Sequence, residues 1–443
     1  MSNNTFSEIG LADPILRALT ERKHFEPTPI QTKAIPHLIE GRDVLGIAQT
    51  GTGKTGAFAL PLLHHLENQK FGKSRHPKAL ILAPTRELAI QIGDEFREYG
   101  KHVKARYAVI FGGVKQGNQV AALERGVDII VATPGRLMDL HRQRKVSFDE
   151  VKYLVLDEAD RMLDMGFVHE MRKIVQSLPK ERQSLLFSAT MPKTIAKISK
   201  EFLTDPIEVS VAPQATPISR IEQEVYHVSA NEKRDLLAQV LDDPEMKRVI
   251  VFVRMKHRAN RVVENLGKVG IRAEAIHGNK SQNARQAALK QFKNGQVRVL
   301  VATDIAARGI DVDSITHVIN YELPNEPESY VHRIGRTARA GATGKAIAFC
   351  DSSEVSFLRD IEKLIGQHIS VSGGSVHAQP LIAPTPDKAS PSKRPFKKKP
   401  HRGRGNGQPG NGKPHSGSGK PQNGNGKPKQ SQGRSKSRRP RAA

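Results

Sequence analysis

Asp43-Val44-Leu45-Gly46-Ile47-Ala48 runs directly into Gln49-Thr50-Gly51-Thr52-Gly53-Lys54-Thr55, and helical periodicity resumes from Gly56. An apolar β-branched run, a glycine-punctuated polar loop and a helix, in that order, predict a strand that delivers a phosphate-cradling loop to a helix N-terminus. Such a loop turns backbone N–H groups inward around an anion, and the helix start adds positive potential. On this reading Lys54 reaches the β and γ phosphates of a nucleotide and Thr55 holds Mg²⁺. The general pattern has Gly where this chain has Ala48. The order of the three elements therefore carries the reading more than the letters do.

Further along, Tyr153-Leu154-Val155-Leu156 delivers Asp157-Glu158-Ala159-Asp160. Carboxylates leaving a buried apolar strand are costly unless a cation or polar partners compensate them. Downstream of a phosphate loop, Asp157 is expected to hold Mg²⁺, in part through water, and Glu158 to orient and deprotonate an attacking water. Taken alone, the run reads equally as an acidic helix start favoured by the macrodipole.

Around these two strands the same rhythm repeats. Apolar runs at residues 79–82, 127–131 and 184–187 alternate with segments of helical period, the pattern of a parallel α/β sheet. Three prolines, Pro206, Pro213 and Pro217, and no helical period suggest an interdomain linker over 207–219. A second series follows at 248–253, 297–301, 316–320 and 346–349, closed by a helix over 354–365. The expected organisation is two tandem α/β domains, 1–206 and 220–370, and a tail from 371 to 443. No period of the kind that marks a solenoid is present.

Composition restricts the function. The 443 residues carry a net charge of +25, which favours a polyanionic partner. Cys350 is the only cysteine, so neither an internal disulfide nor a thiolate zinc framework can form. The first residues lack the basic-then-apolar pattern of a signal peptide, and no run approaches the roughly 18 apolar residues of a membrane span, so a cytoplasmic location without membrane partners is expected. Residues 381–443 hold 17 Lys or Arg against the single acid Asp387, together with ten Gly, ten Pro and one aromatic, Phe396. That composition cannot bury enough apolar surface to offset the entropy lost on ordering, so a disordered tail is expected. It reads either as a solubility tail or as a sequence-tolerant RNA tether acting through counterion release.

With these residues in place, the chain resembles the DEAD-box RNA helicases over residues 6–365, and its length, basic tail and N-terminal wording resemble the bacterial RhlE-type group. The resemblance implies two RecA-like parallel-sheet domains, the superfamily 2 helicase core. Pro27-Thr28-Pro29-Ile30-Gln31 matches the family's Q motif, which implies that the Gln31 amide pairs with the adenine edge and that Phe6 packs against the base. Lys23-His24 stand where Gly and an aromatic are usual. The implied ATP contacts are Phe6, Gln31, Gln49, Thr50, Gly51, Thr52, Gly53, Lys54, Thr55 and Asp311, the last touching the ribose.

Pro84-Thr85-Arg86, Gly112-Gly113 and Thr133-Pro134-Gly135-Arg136 are RNA contacts by resemblance, although a helix opening Pro-Thr-Arg-Glu is also an ordinary capped start. Ser188-Ala189-Thr190 implies coupling between hydrolysis and unwinding, shared with His332. In the second domain the resemblance assigns His277-Gly278, Gln282, Arg285, Thr303 and Asp304 to the RNA backbone. His332-Arg333-Ile334-Gly335-Arg336-Thr337-Ala338-Arg339 supplies two arginines three apart, Arg336 and Arg339, which read as arginine fingers on one helix face. Most members have Gly where this chain has Ala338, and the change is expected to be tolerated.

The expected activity is RNA-stimulated ATP hydrolysis, with ATP and Mg²⁺ as ligands and Lys54, Asp157, Glu158, Arg336 and Arg339 as catalytic residues. Domain closure would drive local unwinding of duplex RNA or ribonucleoprotein remodelling, with single-stranded and duplex RNA as partners. Ribosomal precursors or an RNA-degradation complex would be the setting. An ATP-dependent clamp or annealer, DNA unwinding, and a non-enzymatic scaffold with a relic nucleotide site are the alternatives.

Overall fold

The computed structural model describes residues 5–49, 51–69, 74–211, 220–307, 312, 314–338 and 343–374. Seven strands form the first sheet: β1 (Val44–Ile47), β2 (Ala79–Leu82), β3 (Tyr107–Ile110), β4 (Ile129–Ala132), β5 (Tyr153–Leu156), β6 (Gln183–Ser188) and β7 (Ile207–Ser210). Seven more form the second: β8 (Ile221–His227), β9 (Val249–Phe252), β10 (Ala273–Ile276), β11 (Val299–Ala302), β12 (His317–Asn320), β13 (Gly344–Cys350) and β14 (Ser370–Gly374). The spatial orders are 3-4-2-5-6-1-7 and 10-11-9-12-13-8-14, all pairings parallel. Subtracting seven from every label of the second turns it into the first, so one topology is used twice although no letter repeat betrays it.

Parallel strands need helical crossovers, and the helices cover both faces of each sheet. This explains the continuous apolar runs. Along β5, Tyr153 and Val155 pack into one apolar cluster while Leu154 and Leu156 pack into the other. In the second sheet Val249 and Val251 of β9 face one cluster, Ile250 and Phe252 the opposite one. The loops at the C-terminal ends of the strands carry the motif residues, where ligands bind in open α/β sheets.

Two expected boundaries are corrected. Residues 207–210 are not linker but the edge strand β7, paired with β1 from Val44↔Ile207 to Ile47↔Ser210. The Val211 N–H continues the ladder to the Ile47 carbonyl at 3.0 Å. The flanking prolines bracket an Ile-Glu-Val-Ser alternation suited to a half-covered edge strand, and the rest of the expected linker, 212–219, lies outside the described residues. Likewise the tail does not begin at 371, because β14 docks on β8 through Gly374. Residues 375–443, and with them the expected basic tail, lie outside the described residues.

Candidate nucleotide and RNA site

The loop between β1 and the helix Lys54–Asn68 turns through Gly51 at φ +84° and Gly53 at φ +92°, a region in which an L side chain is strained. Ala48 is not among the residues with positive φ, so its methyl group replaces the pattern's glycine without backbone strain. Thr52 Oγ1 donates to the carbonyl of Gln49 at 2.7 Å and tightens the turn. Lys54 is the first helical residue and only 5% exposed, and its Nζ has no hydrogen-bond partner among the described residues. A buried ammonium without a partner is a costly arrangement that an incoming anion relieves. Thr55 is half-buried one residue further on, and Thr50 lies outside the described residues.

Gln31 braces this loop. Its Oε1 accepts from the Thr28 N–H at 2.9 Å, and its Nε2 donates to the Gly53 carbonyl at 3.0 Å. Each end of the amide makes one hydrogen bond within the protein and keeps a second position. A Cβ on Gly56 would lie 2.5 Å from the same Nε2, so the helix must approach Gln31 with a glycine there. Phe6 is 5% exposed and belongs to the apolar cluster with Leu11 and Ile15. Lys23, standing where the family pattern has Gly, adopts φ +59°. The backbone the glycine would serve is kept, and the next ring, His24, tilts against Tyr99 with centroids 6.2 Å apart.

Asp157 leaves β5 buried, its Oδ1 accepting the Glu158 N–H at 3.0 Å. Burial pushes its carboxyl up to about 6, the charge of Glu158 adds to this, and Lys54 and Arg161 oppose it. A divalent cation bridging to phosphate would stabilise the ionised form. Mg²⁺ is commonly held by one or two protein oxygens, water and substrate phosphates. Asp157 and Thr55 fit that role. Glu158 sits at φ +53°, with both carboxylate oxygens accepting from Arg161 Nη1 at 2.9 and 2.7 Å.

Asp160 receives no role from the sequence, yet it joins two motifs. Its Oδ2 accepts from the N–H groups of Ala189 and Thr190 at 3.1 and 3.0 Å and from Thr190 Oγ1 at 3.0 Å. Ser188 Oγ donates to the Thr190 carbonyl at 2.7 Å and holds the tripeptide's turn. The available signal is the third carboxylate of the run, in the first turn of the helix that follows β5.

On the adjoining surface Thr85 accepts the Leu88 N–H at 3.2 Å and caps the helix Arg86–Tyr99, while Pro84 is buried before it. Arg86 crosses Gly113, which adopts φ +81°; a Cβ on Gly113 would collide with Arg86 Nη1. Gly112 has open space around its Cα. Thr133 precedes the helix Pro134–Arg142, from which Arg136 Nη2 donates to the Val114 carbonyl at 3.2 Å while its buried Nη1 has no partner among the described residues. Burial, together with the guanidinium groups of Arg285 and Arg136, holds Arg86 below its ordinary pKa. Arg86 thus lies near two further guanidiniums, and one buried donor of Arg136 is unused among the described residues.

Arg285 comes to this cluster from the second sheet. Its Nε donates to Glu87 Oε1 at 2.8 Å, and Gln282 Nε2 donates to the same oxygen at 3.0 Å. From sequence Arg285 reads as a contact for RNA alone, and nothing local marks Glu87, which ties the two halves together. Both sheets belong to one compact unit. His277 is buried with its Nε2 2.9 Å from Asn260 Oδ1, a positioning contact within the second sheet's loops.

Thr303 and Asp304 follow β11. The Asp304 carboxylate is bound by Arg333, Nε to Oδ1 at 2.5 Å and Nη2 to Oδ2 at 2.7 Å. Its oxygens thus fix Arg333, a buried residue, while the Asp304 side chain keeps 29% exposure. Arg333 also donates to Asn320 and to the Glu322 carbonyl and stands over the Phe252 ring. Arg336 lies in the turn after the helix Pro327–Ile334 and not on the expected helix face; it is buried with Nε 3.3 Å from the His332 carbonyl, and both residues line a small cavity with Asp304 and Ser329. Ala338 adopts φ +55°, so the departure from Gly is accommodated at the expense of backbone strain. Asp311 and Arg339 lie outside the described residues.

The family model described as "DEAD/DEAH box helicase" matches residues 28–198, and that described as "Helicase conserved C-terminal domain" matches 232–341. The ATP-dependent RNA helicase CshA of Listeria monocytogenes is 44% identical over 87% of this chain and 71% of its own length. The DEAD-box ATP-dependent RNA helicase CshA of Bacillus subtilis is 44% identical over 81% and 72%. Among solved structures, S. cerevisiae Dbp5 bound to RNA and ADP BeF3 superposes with a TM-score of 0.75 at 31% identity, covering 83% of this chain and 95% of that one. Mss116p bound to ssRNA and AMP-PNP gives 0.75 at 30% identity, covering 85% and 80%.

Proposed function

As a member of the DEAD-box helicases, to which the chain belongs, this protein is an ATP-dependent RNA helicase, and we propose that its two sheets hydrolyse ATP between them only while RNA phosphate bridges Arg86, Arg136 and Arg285. The observation that carries the nucleotide half is the buried Lys54 ammonium, unpartnered among the described residues at a helix N-terminus and close enough to Asp157 to oppose the rise of its pKa. The loop from Gln49 through Thr50, Gly51, Thr52 and Gly53 wraps the phosphates, Lys54 neutralises the β and γ groups, and Gln31 keeps the loop in shape.

Asp157 and Thr55 would hold Mg²⁺, which would supply charge neutralisation at the transferring phosphoryl group. Glu158 takes a proton from water as the water oxygen bonds to the γ-phosphorus. The bond to the bridging oxygen breaks, ADP departs with that electron pair, and the proton passes from Glu158 to solvent. Arg336 stabilises the charge spread over the γ oxygens, and Arg339 and Asp311 complete this side of the site in the same reading. Asp160 carries the change at Glu158 to Ser188 and Thr190.

RNA contacts are proposed for Pro84, Thr85, Arg86, Gly112, Gly113, Thr133, Arg136, Arg285 and Thr303, through the sugar and phosphate backbone. ATP and RNA both favour the joined state, so each raises the other's affinity. The 2′-OH is the group that lets such a surface prefer RNA. The similar bacterial relatives are CshA proteins, whereas the RhlE-type grouping rests on length, tail and N-terminal wording; membership is proposed at the level the two share. No helix among the described residues is long and apolar enough to cross a membrane. Structured ribosomal precursors or messenger RNA under decay, in the cytoplasm, are the proposed substrates.

Steady-state ATP hydrolysis with and without single-stranded RNA tests the proposal. RNA should stimulate the wild type strongly, while Lys54→Ala and Glu158→Gln should lose nearly all turnover. Wild-type turnover in Glu158→Gln would remove the assigned base.

A further inference from the structure

Arg161 belongs to none of the expected sites, and its partner is the residue assigned as general base. The pair is buried, with side-chain exposures of 4% and 4%, and one guanidinium nitrogen reaches both oxygens of Glu158 at 2.9 and 2.7 Å. Glu158 stands immediately before the helix Ala159–Asp164 at φ +53° and ψ 52°, a conformation that a non-glycine residue adopts only when its surroundings hold it. Arg161 lies three residues on, in that helix's first turn, where i and i+3 side chains meet. Its own N–H is fixed to Asp160 Oδ1 at 3.0 Å, so the clamp rests on the same residue that binds Thr190.

A carboxylate with both oxygens on one guanidinium has its direction fixed and its free lone pairs reduced. Each oxygen keeps an acceptor position, and loosening one from the guanidinium leaves it the stronger base toward water. Without Arg161, a carboxylate beside Asp157 would be repelled by that neighbour and free to swing. We propose that Arg161 is a positioning residue for ATP hydrolysis: it holds Glu158 in a resting orientation and yields one oxygen to the attacking water when nucleotide is bound and the sheets are joined. The inference rests on the assignment of Glu158 as base.

Arg161→Met and Arg161→Lys are measured in the full-length protein beside the wild type and Glu158→Gln, for kcat and KM of RNA-stimulated hydrolysis and for equilibrium affinity toward a non-hydrolysable ATP analogue. In Arg161→Met, kcat should fall by about 10- to 100-fold, while KM and analogue affinity stay within about twofold. Arg161→Lys, which keeps a charged donor, should recover part of the loss and keeps the test available should the Met variant fail to fold. A merely structural pair would lower the unfolding temperature and the active fraction but leave kcat per binding-competent molecule unchanged. That outcome, or a parallel loss of affinity and kcat, overturns the inference. Full turnover in Glu158→Gln would instead strike at the base assignment, so the two failures are distinguishable.

Discussion

Replacing Asp157 by Asn should make the protein more stable in the absence of nucleotide and Mg²⁺ while abolishing ATP hydrolysis. Burial raises the Asp157 carboxyl from 3.8 to about 6. Between those values the native state holds a proton that the unfolded state has released. The resulting destabilisation is therefore complete above about pH 6 and disappears as pH falls below the unfolded value. Two pKa units at about 1.4 kcal/mol each amount to roughly 3 kcal/mol at neutral pH. Asn is nearly isosteric, and its Oδ1 can still accept the Glu158 N–H that Asp157 accepts at 3.0 Å. The shift is already net of the attraction of Lys54, so the expected gain is on the order of 1 to 3 kcal/mol. Urea unfolding of the full chain in chelator would be followed by circular dichroism, taking the transition that an ATP analogue shifts. The Asn variant should unfold at higher urea near pH 7.5, and its advantage should roughly halve near pH 5. A variant less stable than wild type at neutral pH, or an advantage independent of pH, would refute the reasoning.

Three further outcomes follow from particular side chains and segments. Gly113→Ala drives a methyl group into Arg86 Nη1 at φ +81°; the backbone term alone is about 1–2 kcal/mol, and RNA stimulation should fall with the KM for ATP unchanged, whereas undiminished RNA stimulation would detach Arg86 from the RNA surface. Ala338→Gly relieves φ +55° and should raise the second domain's unfolding midpoint by the equivalent of a few tenths to about 1 kcal/mol, measured by thermal melting, with a lowered midpoint counting against strain there. Removing the residues after 375 should weaken RNA binding and flatten its salt dependence by about 0.7 in log–log slope for each phosphate the tail no longer neutralises, with RNA-stimulated hydrolysis retained; an unchanged slope would end the tether reading of the tail.

The strands legible in sequence are those buried along all or most of their length, whereas the edge strands and β8, interior between β13 and β14 but buried only at alternate residues, are not. β1, β2, β4, β5 and β6 are covered on both faces, so burial imposes an unbroken apolar run that can be recognised locally. β3, β7, β10 and β14 are the edges of the two sheets. Ile207-Glu208-Val209-Ser210, for example, needs apolar character only where Val209 is buried. Such short alternations resemble loop until a neighbouring strand is present to pair with them, which is why β7 reads as linker and β14 as tail.

The same division governs the site. A loop that must cradle phosphate needs glycines and Lys54 adjacent in the chain, and a strand end that must present carboxylates needs Asp157 and Glu158 in succession, so their chemistry is legible in the letters. The Glu158/Arg161 clamp is within reach of a spacing argument, since its members are one helical turn apart. Asp160 with Thr190, Asp304 with Arg333 and Glu87 with Arg285 are 30, 29 and 198 residues apart in sequence. Sequence alone determined the doubly covered parallel strands and the local phosphate and carboxylate motifs, because burial period and loop chemistry act between neighbours. Which carboxylate satisfies which arginine was decided only by the tertiary structure, because a buried charge takes the partner that packing brings within hydrogen-bond reach.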